Sequence, residues 1–169
     1  MNTKSPETRL DLRKALGNFG TGVTIVSTLS ASGEPTGMTA NSFSSVSLDP
    51  PIVLWSLLNT SPSLQAFDAC GRFVINVLAL DQLPLSKRFA TSMPNKFEGV
   101  AHQPGLAGLP VIEDCASVFQ CKTVQRLEVG DHILFLGEIE AYHHHTDRDT
   151  LLYYRGQYAQ GSRLEPSPT

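Results

Sequence analysis

The run Val124-Gln125-Arg126-Leu127-Glu128-Val129-Gly130-Asp131-His132-Ile133-Leu134-Phe135-Leu136 contains two extended segments hinged at a Gly-Asp pair. A two-residue turn with glycine between alternating segments is a hairpin signal, because glycine adopts the positive φ that such turns require. The spacing predicts two long strands, about 116–129 and 132–143. Antiparallel pairing is therefore the organising principle of the chain.

Other β-branched and apolar runs lie at 22–29, 36–39, 52–57, 72–80 and 151–154. Short helices are expected from a cap at Ser5 with Pro6 in the first turn, from Ser61-Pro62, and from Asp81 through 85–90. In the first, Leu12, Ala15, Leu16 and Phe19 recur at helical spacing. Gly17 weakens that helix, and Gly20 and Gly22 end it. Residues 91–110 read as a long polar loop, a lid or a subunit contact. Six or seven strands joined mostly by turns, with few helices and no βαβ alternation, favour an antiparallel sheet curled into a barrel. No G-x-G-x-x-G follows a strand, which excludes a Rossmann crevice.

At 169 residues the chain fits one domain, with its core at about 8–160 and a mobile tail at 161–169. Net charge is −3 and the 13 Lys and Arg residues are scattered. Without a basic stripe, nucleic acid is excluded as a partner. The longest apolar stretches, such as Ile52 to Leu58, fall short of a membrane span, and residues 1–7 have no signal-peptide core. Cys70, Cys115 and Cys121 form no C-x-x-C pair. That argues against a disulfide framework or structural zinc and suits the cytoplasm.

The chemistry-bearing residues cluster in a few places. Residues 37–51 (GMTANSFSSVSLDPP) form a polar connector of small side chains, which can bring backbone N–H groups and hydroxyls close to a polar ring or phosphate. His132, behind the Gly130-Asp131 turn, is either a polar handle for a bound molecule or a turn residue capping local backbone. Lys87, Arg88, Phe89, Ala90, Lys96 and Phe97 set cations beside aromatics, suited to a phosphate and a flat ring, or to a helix surface over core Phe. Tyr153, Tyr154, Arg155, Gly156 and Tyr158 could face a dinucleotide or form an edge strand. His143, His144 and His145 alternate faces on a strand, so three ligands cannot converge and no metal site is expected. There is no G-x-S-x-G elbow, and Glu138 and Glu140 read as an outer strand face.

Taken in order, several segments resemble the flavin reductase family with an FMN-binding split barrel. They are FGTGVTIV at 19–26, GMTANSF at 37–43 with SVSLDPP at 45–51, FVINVL at 73–78, Leu85-Ser86 with Phe89-Ala90, GLPV at 108–111, Gly130-Asp131-His132 with Gly137-Glu138-Ile139, and LYYRGQY at 152–158. The likeness spans about 12–158. It implies a mainly β fold, a six-stranded antiparallel split β-barrel with Greek-key topology and a few short helices, working as a homodimer with flavin near the subunit interface. It further implies hydride transfer from NADH or NADPH to FMN or FAD. The reduced flavin then diffuses to a flavin-dependent monooxygenase.

By position in the family, Met38, Thr39, Ala40, Asn41, Ser42, Val46 and Ser47 would line the ring and ribityl chain. Ser56 and Ser61 would lie toward the phosphate, with Arg88, Phe89, Ala90 and Lys96 as further candidates. His132, Tyr154, Arg155, Gly156 and Tyr158 would hold the nicotinamide, His132 as an orienting catalytic residue. The segment 58–61 carries no cation, so phosphate neutralisation must come from elsewhere, and FMN against FAD and NADH against NADPH stay open. Two alternatives share the fold. One is an FMN-binding protein that keeps its flavin; the other is a pyridoxamine-phosphate or haem-handling barrel, for which the abundant basic ligands are missing.

Overall fold

A computed structural model describes residues 6–162; the expected cap at Ser5 and all but the first two residues of the expected mobile tail lie outside them. The chain opens with α1 (Pro6–Leu16), β1 (Thr21–Gly22), β2 (Thr24–Leu29) and β3 (Pro35–Ala40). Next come β4 (Ser44–Leu48), β5 (Pro51–Leu58), α2 (Leu64–Cys70), β6 (Arg72–Val77) and α3 (Leu83–Ala90). It ends with β7 (His102–Pro104), β8 (Pro110–Ile112), β9 (Ser117–Val129), β10 (His132–His144), β11 (Leu151–Tyr154) and β12 (Gln157–Gln160).

The main sheet has seven strands in the order β3-β2-β6-β9-β10-β5-β4, every neighbouring pair antiparallel. Its edge strands β3 and β4 are consecutive in the chain and joined by Asn41 to Phe43, so the edges are drawn together and the sheet curls. The predicted hairpin is β9–β10, with His132 opposite Val129. Gly130 takes the positive φ its turn needs.

Burial follows the topology. In β5 only Val53, Trp55 and Leu57 are buried, the alternation of a strand with one face on the core. In β2 every residue from Thr24 to Thr28 is buried, because both faces are covered. Val26, Trp55, Phe73, Ile75 and Phe135 fill the barrel, sealed by Phe67 of α2. Trp55 stacks on Phe135 at 4.8 Å and meets Phe67 edge-on at 4.8 Å. Ile25 and Val74 face the other way, onto a second core under α3, β8 and β11. Buried Asn76 joins the layers. Its amide donates to the Ile25 carbonyl and Ser27 Oγ, and its Oδ1 accepts from Ile112 N, each at 2.9 Å.

Several expectations change. The strand count rises because residues 44–48 of the supposed polar loop form edge strand β4, whose exposed hydroxyls mask its extended backbone. The stretch 91–110 contains β7, which pairs with β8 as a separate ribbon, and β12 pairs with β11. The second helix starts at Leu64 with Ser63 in the flanking position, whose side chain makes no cap bond, while Ser61 Oγ accepts from Ser63 N at 3.3 Å; Asp81 lies inside a 3₁₀ turn at Leu80–Gln82 that leads into α3. Helix α1 buries no residue, so its apolar face stays off the core.

Candidate functional site

Three cavities form one continuous groove where β3 passes toward β4. The first, about 380 Å³, is lined by Met38 to Ser42, by Ser56 and Leu58 of β5, by Thr60 to Pro62, and by His132 at the start of β10. The second, about 410 Å³, shares Met38, Thr39, Ser61 and Pro62 and extends past Thr36 to Phe89 through Lys96. The third is wider, about 1370 Å³. It shares Asn41, Ser42 and His132 and runs between the end of α1 and the β11–β12 turn at Arg155-Gly156. Residues 38–42 are therefore the spine of the whole groove.

Local chemistry explains why the spine is built of small polar residues. A Cβ on Gly37 would stand 3.0 Å from the Val26 carbonyl oxygen of β2 and 3.3 Å from the Phe89 and Phe97 rings, so a side chain here would push these neighbours back by a few tenths of an ångström. Thr39 Oγ1 donates to the Ser86 carbonyl at 2.7 Å, fixing the strand to the helix. Ser42 Oγ accepts from Ser56 N at 3.0 Å and donates to the Ser56 carbonyl at 3.2 Å, tying the β3–β4 link to β5.

The cation in the second cavity is Lys96. Its ammonium donates to the Phe89 carbonyl at 2.8 Å and approaches that of Gly37 at 3.5 Å. Among the described residues no carboxylate forms an ion pair with it. Partial burial lowers its pKa. Arg88 is committed elsewhere, donating to the carbonyls of Glu98 at 2.6 Å and Asn95 at 3.3 Å.

His132 stands where the first and third cavities join. Its Nδ1 donates to Asp131 Oδ1 at 2.7 Å, and this hydrogen bond holds the Asp131 carboxyl below the usual range. With Nδ1 as donor, Nε2 of the neutral ring is an acceptor.

The groove gathers most of the residues singled out from sequence: Met38, Thr39, Ala40, Asn41, Ser42, Ser56, Ser61, Phe89, Ala90, Lys96, His132, Arg155 and Gly156. Five others lie off it. Val46 and Ser47 sit on edge strand β4, Arg88 braces the 95–98 turn, Tyr154 lies under the Arg155 guanidinium, and the Tyr158 hydroxyl pairs with Ser86. Sequence reasoning missed Thr36, Pro62, Thr91 and Ser92 in the second cavity, and Asn18 and Thr21 in the third. The Thr91-Ser92 pair directly after a helix was the available signal for part of that wall. His143 and His145 line a separate cavity, their Nε2 atoms 3.2 Å apart. No group of three or more His, Cys, Asp or Glu among the described residues could hold a metal. Burial pushes the Cys115 and Cys121 thiols up to about 12.

The sequence profile of the flavin reductase like domain matches residues 16–162. The chain belongs to that family. Among flavin reductase-like relatives, the FMN reductase (NADH) SmoA of Agrobacterium fabrum is 40% identical over 157 residues, covering 93% of this chain and 88% of SmoA. The reductase subunit HsaB of a flavin-dependent monooxygenase from Mycobacterium tuberculosis is 36% identical, covering 93% of this chain and 83% of HsaB. A Rhizobium meliloti relative is 41% identical, but the chain spans only 47% of its length. Among solved structures, the NADH:FAD oxidoreductase SgcE6 of Streptomyces globisporus, in complex with NAD and FAD fragments, superposes with a TM-score of 0.89. It is 33% identical, and the match covers 96% of this chain and 98% of SgcE6.

Proposed function

We propose that this protein is an NAD(P)H-dependent flavin reductase that releases reduced FMN or FAD to a separate flavin-dependent monooxygenase. The observation that carries the reading is the continuity of the groove: a ring-sized first cavity opens on one side to an ammonium and on the other to His132 and a wide chamber. The donor set suits a flavin. A half-buried ammonium with no carboxylate partner among the described residues and a wall of hydroxyls match a phosphate and a ribityl chain. Small residues 38–42 leave room for a flat ring.

When bound, the two cofactors supply the redox chemistry, a hydride passing from nicotinamide C4 to flavin N5. The chain supplies alignment. Met38 to Ser42 and Ser56 line the flavin ring, Ser61 and Lys96 hold its phosphate side, and His132, Arg155 and Gly156 orient the nicotinamide. His132 acts through position and not as an obligatory acid, because hydride transfer between stacked rings requires no protein proton donor.

The active form is a homodimer of one-domain subunits. Outside the barrel, Leu134 and Leu136 of β10 lie beside Leu54 and Leu58 of β5 and Leu127 and Val129 of β9, with Val129 57% exposed. This apolar face is continuous with Leu58 and His132 at the groove's rim, and a second copy would cover it. Three unpaired cysteines suit a cytoplasmic protein.

The test mixes purified protein, FMN or FAD and NADH without oxygen, following the near-ultraviolet absorbance of the reduced nicotinamide. Loss of NADH that requires added flavin and continues over many turnovers supports the proposal. A yellow protein that consumes no NADH refutes it and favours the retained-flavin alternative.

A further inference from the structure

We infer that the Tyr158–Ser86 hydrogen bond is a latch that sets the spacing between the flavin and nicotinamide sides of the groove, making both residues positioning residues for hydride transfer. The inference rests on the flavin reductase reading. Ser86, in the middle of α3, is wholly buried, and its Oγ lies 2.8 Å from the Tyr158 hydroxyl, 72 positions along the chain. A buried helix hydroxyl either bonds back to a carbonyl one turn earlier, as Thr91 does to Lys87, or takes a partner from elsewhere, and Ser86 takes the Tyr158 hydroxyl. The carbonyl of the same Ser86 accepts from Thr39 Oγ1, and Thr39 lines the first two cavities. One residue of α3 is thus gripped from two sides.

On the other side, Tyr158 stands opposite Tyr153 in the β11–β12 register and meets its ring edge-on at 5.4 Å. Tyr153 lines the third cavity. The turn between these strands carries Arg155, whose backbone N donates to the Gly17 carbonyl and whose Nε donates to Asn18 Oδ1, each at 2.8 Å. Strand β12 is the outer strand of the sheet β1-β11-β12, and no ladder joins it to the seven-stranded barrel. Backbone bonds tie β11 to β1, Val23 and Leu78, but β12 itself reaches the flavin side through side chains, by the hydrogen-bonded route Tyr158 to Ser86 to Thr39.

The proof uses Tyr158→Phe, Ser86→Ala and the double variant in the full-length protein. Melting temperature, flavin affinity and the single-turnover rate of flavin reduction at saturating NADH are measured without oxygen. Tyr158→Phe keeps the ring packing but uncouples β12 from α3, so the reduction rate falls about tenfold or more while flavin affinity stays within about twofold. In the double variant the two orphaned hydroxyls are gone, so the melting temperature recovers but the reduction rate does not. An unchanged reduction rate in Tyr158→Phe, recovery of rate together with melting temperature in the double variant, or a parallel loss of flavin affinity would each overturn the latch. Wild-type protein that fails to oxidise NADH with flavin present would instead overturn the reductase reading itself.

Discussion

Replacing Lys96 by Met tests the phosphate end of the groove most directly. The substitution keeps an unbranched chain and removes the ammonium that rests on the Phe89 and Gly37 carbonyls. A charge-assisted hydrogen bond contributes about 1.5–3 kcal/mol. Coulomb's law brackets the same range, giving about 1 kcal/mol for a contact at 4 Å in water and about 4 at an effective dielectric of 20. At about 1.4 kcal/mol per decade, FMN affinity should fall roughly 10- to 150-fold. Riboflavin, which lacks the phosphate, should bind the variant and the wild type alike. Titration of flavin fluorescence against protein reads both ligands. Equal weakening of FMN and riboflavin would mean that Lys96 only props the groove wall, and unchanged FMN binding would remove it from the site. The same ammonium gives a pH signature. Burial lowers its pKa, so the charge that attracts phosphate is complete at lower pH and fades as pH rises through a value below the ordinary lysine range. FMN affinity should therefore decline on the alkaline side while riboflavin affinity stays flat.

His132→Ala should raise the KM for NADH or depress turnover while leaving flavin affinity largely intact, measured by steady-state kinetics beside flavin titration; collapse of flavin binding with normal hydride transfer would refute its assignment. Gly137→Ala places a Cβ 2.3 Å from Phe73 Cζ and 3.0 Å from Cys121 Cβ inside the barrel, and the overpacking should cost roughly 1–3 kcal/mol in denaturant unfolding. With Cys115 and Cys121 pushed up to about 12, a thiol reagent at mildly alkaline pH should label only Cys70 in the native protein and all three after denaturation.

How much of this was legible depends on where the information sits. The β9–β10 hairpin could be read because two long extended runs and a Gly-Asp turn agree locally. Strand β5 could be read because Val53, Trp55 and Leu57 are bounded by Pro51 and the polar 59–61 segment. Strand β4 could not: Val46 and Leu48 alternate with serines, but this short edge strand exposes them to solvent, and its serine content reads as loop. The spine at 38–42 was found because small polar residues between apolar strands are unusual. The wall at Thr91 and Ser92 belongs to the site only through tertiary placement, which spacing does not encode. Tyr158 shows the same limit. Its segment borders the third cavity through Tyr153, Arg155 and Gly156, yet its own hydroxyl is turned to Ser86 and not to the cavities.

The charge inventory of the groove bears on whether flavin would be kept or released. Of the cations singled out from sequence for the phosphate, Lys87 is exposed and lines none of the three cavities, Arg88 is spent on backbone carbonyls, and Lys96 remains. The other donors around it, including Thr36, Ser61, Ser63 and Thr91, are neutral hydroxyls. A neutral hydrogen bond contributes about 0.5–1.5 kcal/mol net, against about 1.5–3 for a charged one. A site meant to retain its flavin gains most by multiplying guanidinium contacts, because each charged contact slows release by roughly a decade or more. A site that must let reduced flavin go after every turnover gains nothing from that. Around the second cavity, one ammonium amid hydroxyls is the composition expected of the second kind, and it favours a flavin treated as a substrate over one held as a prosthetic group.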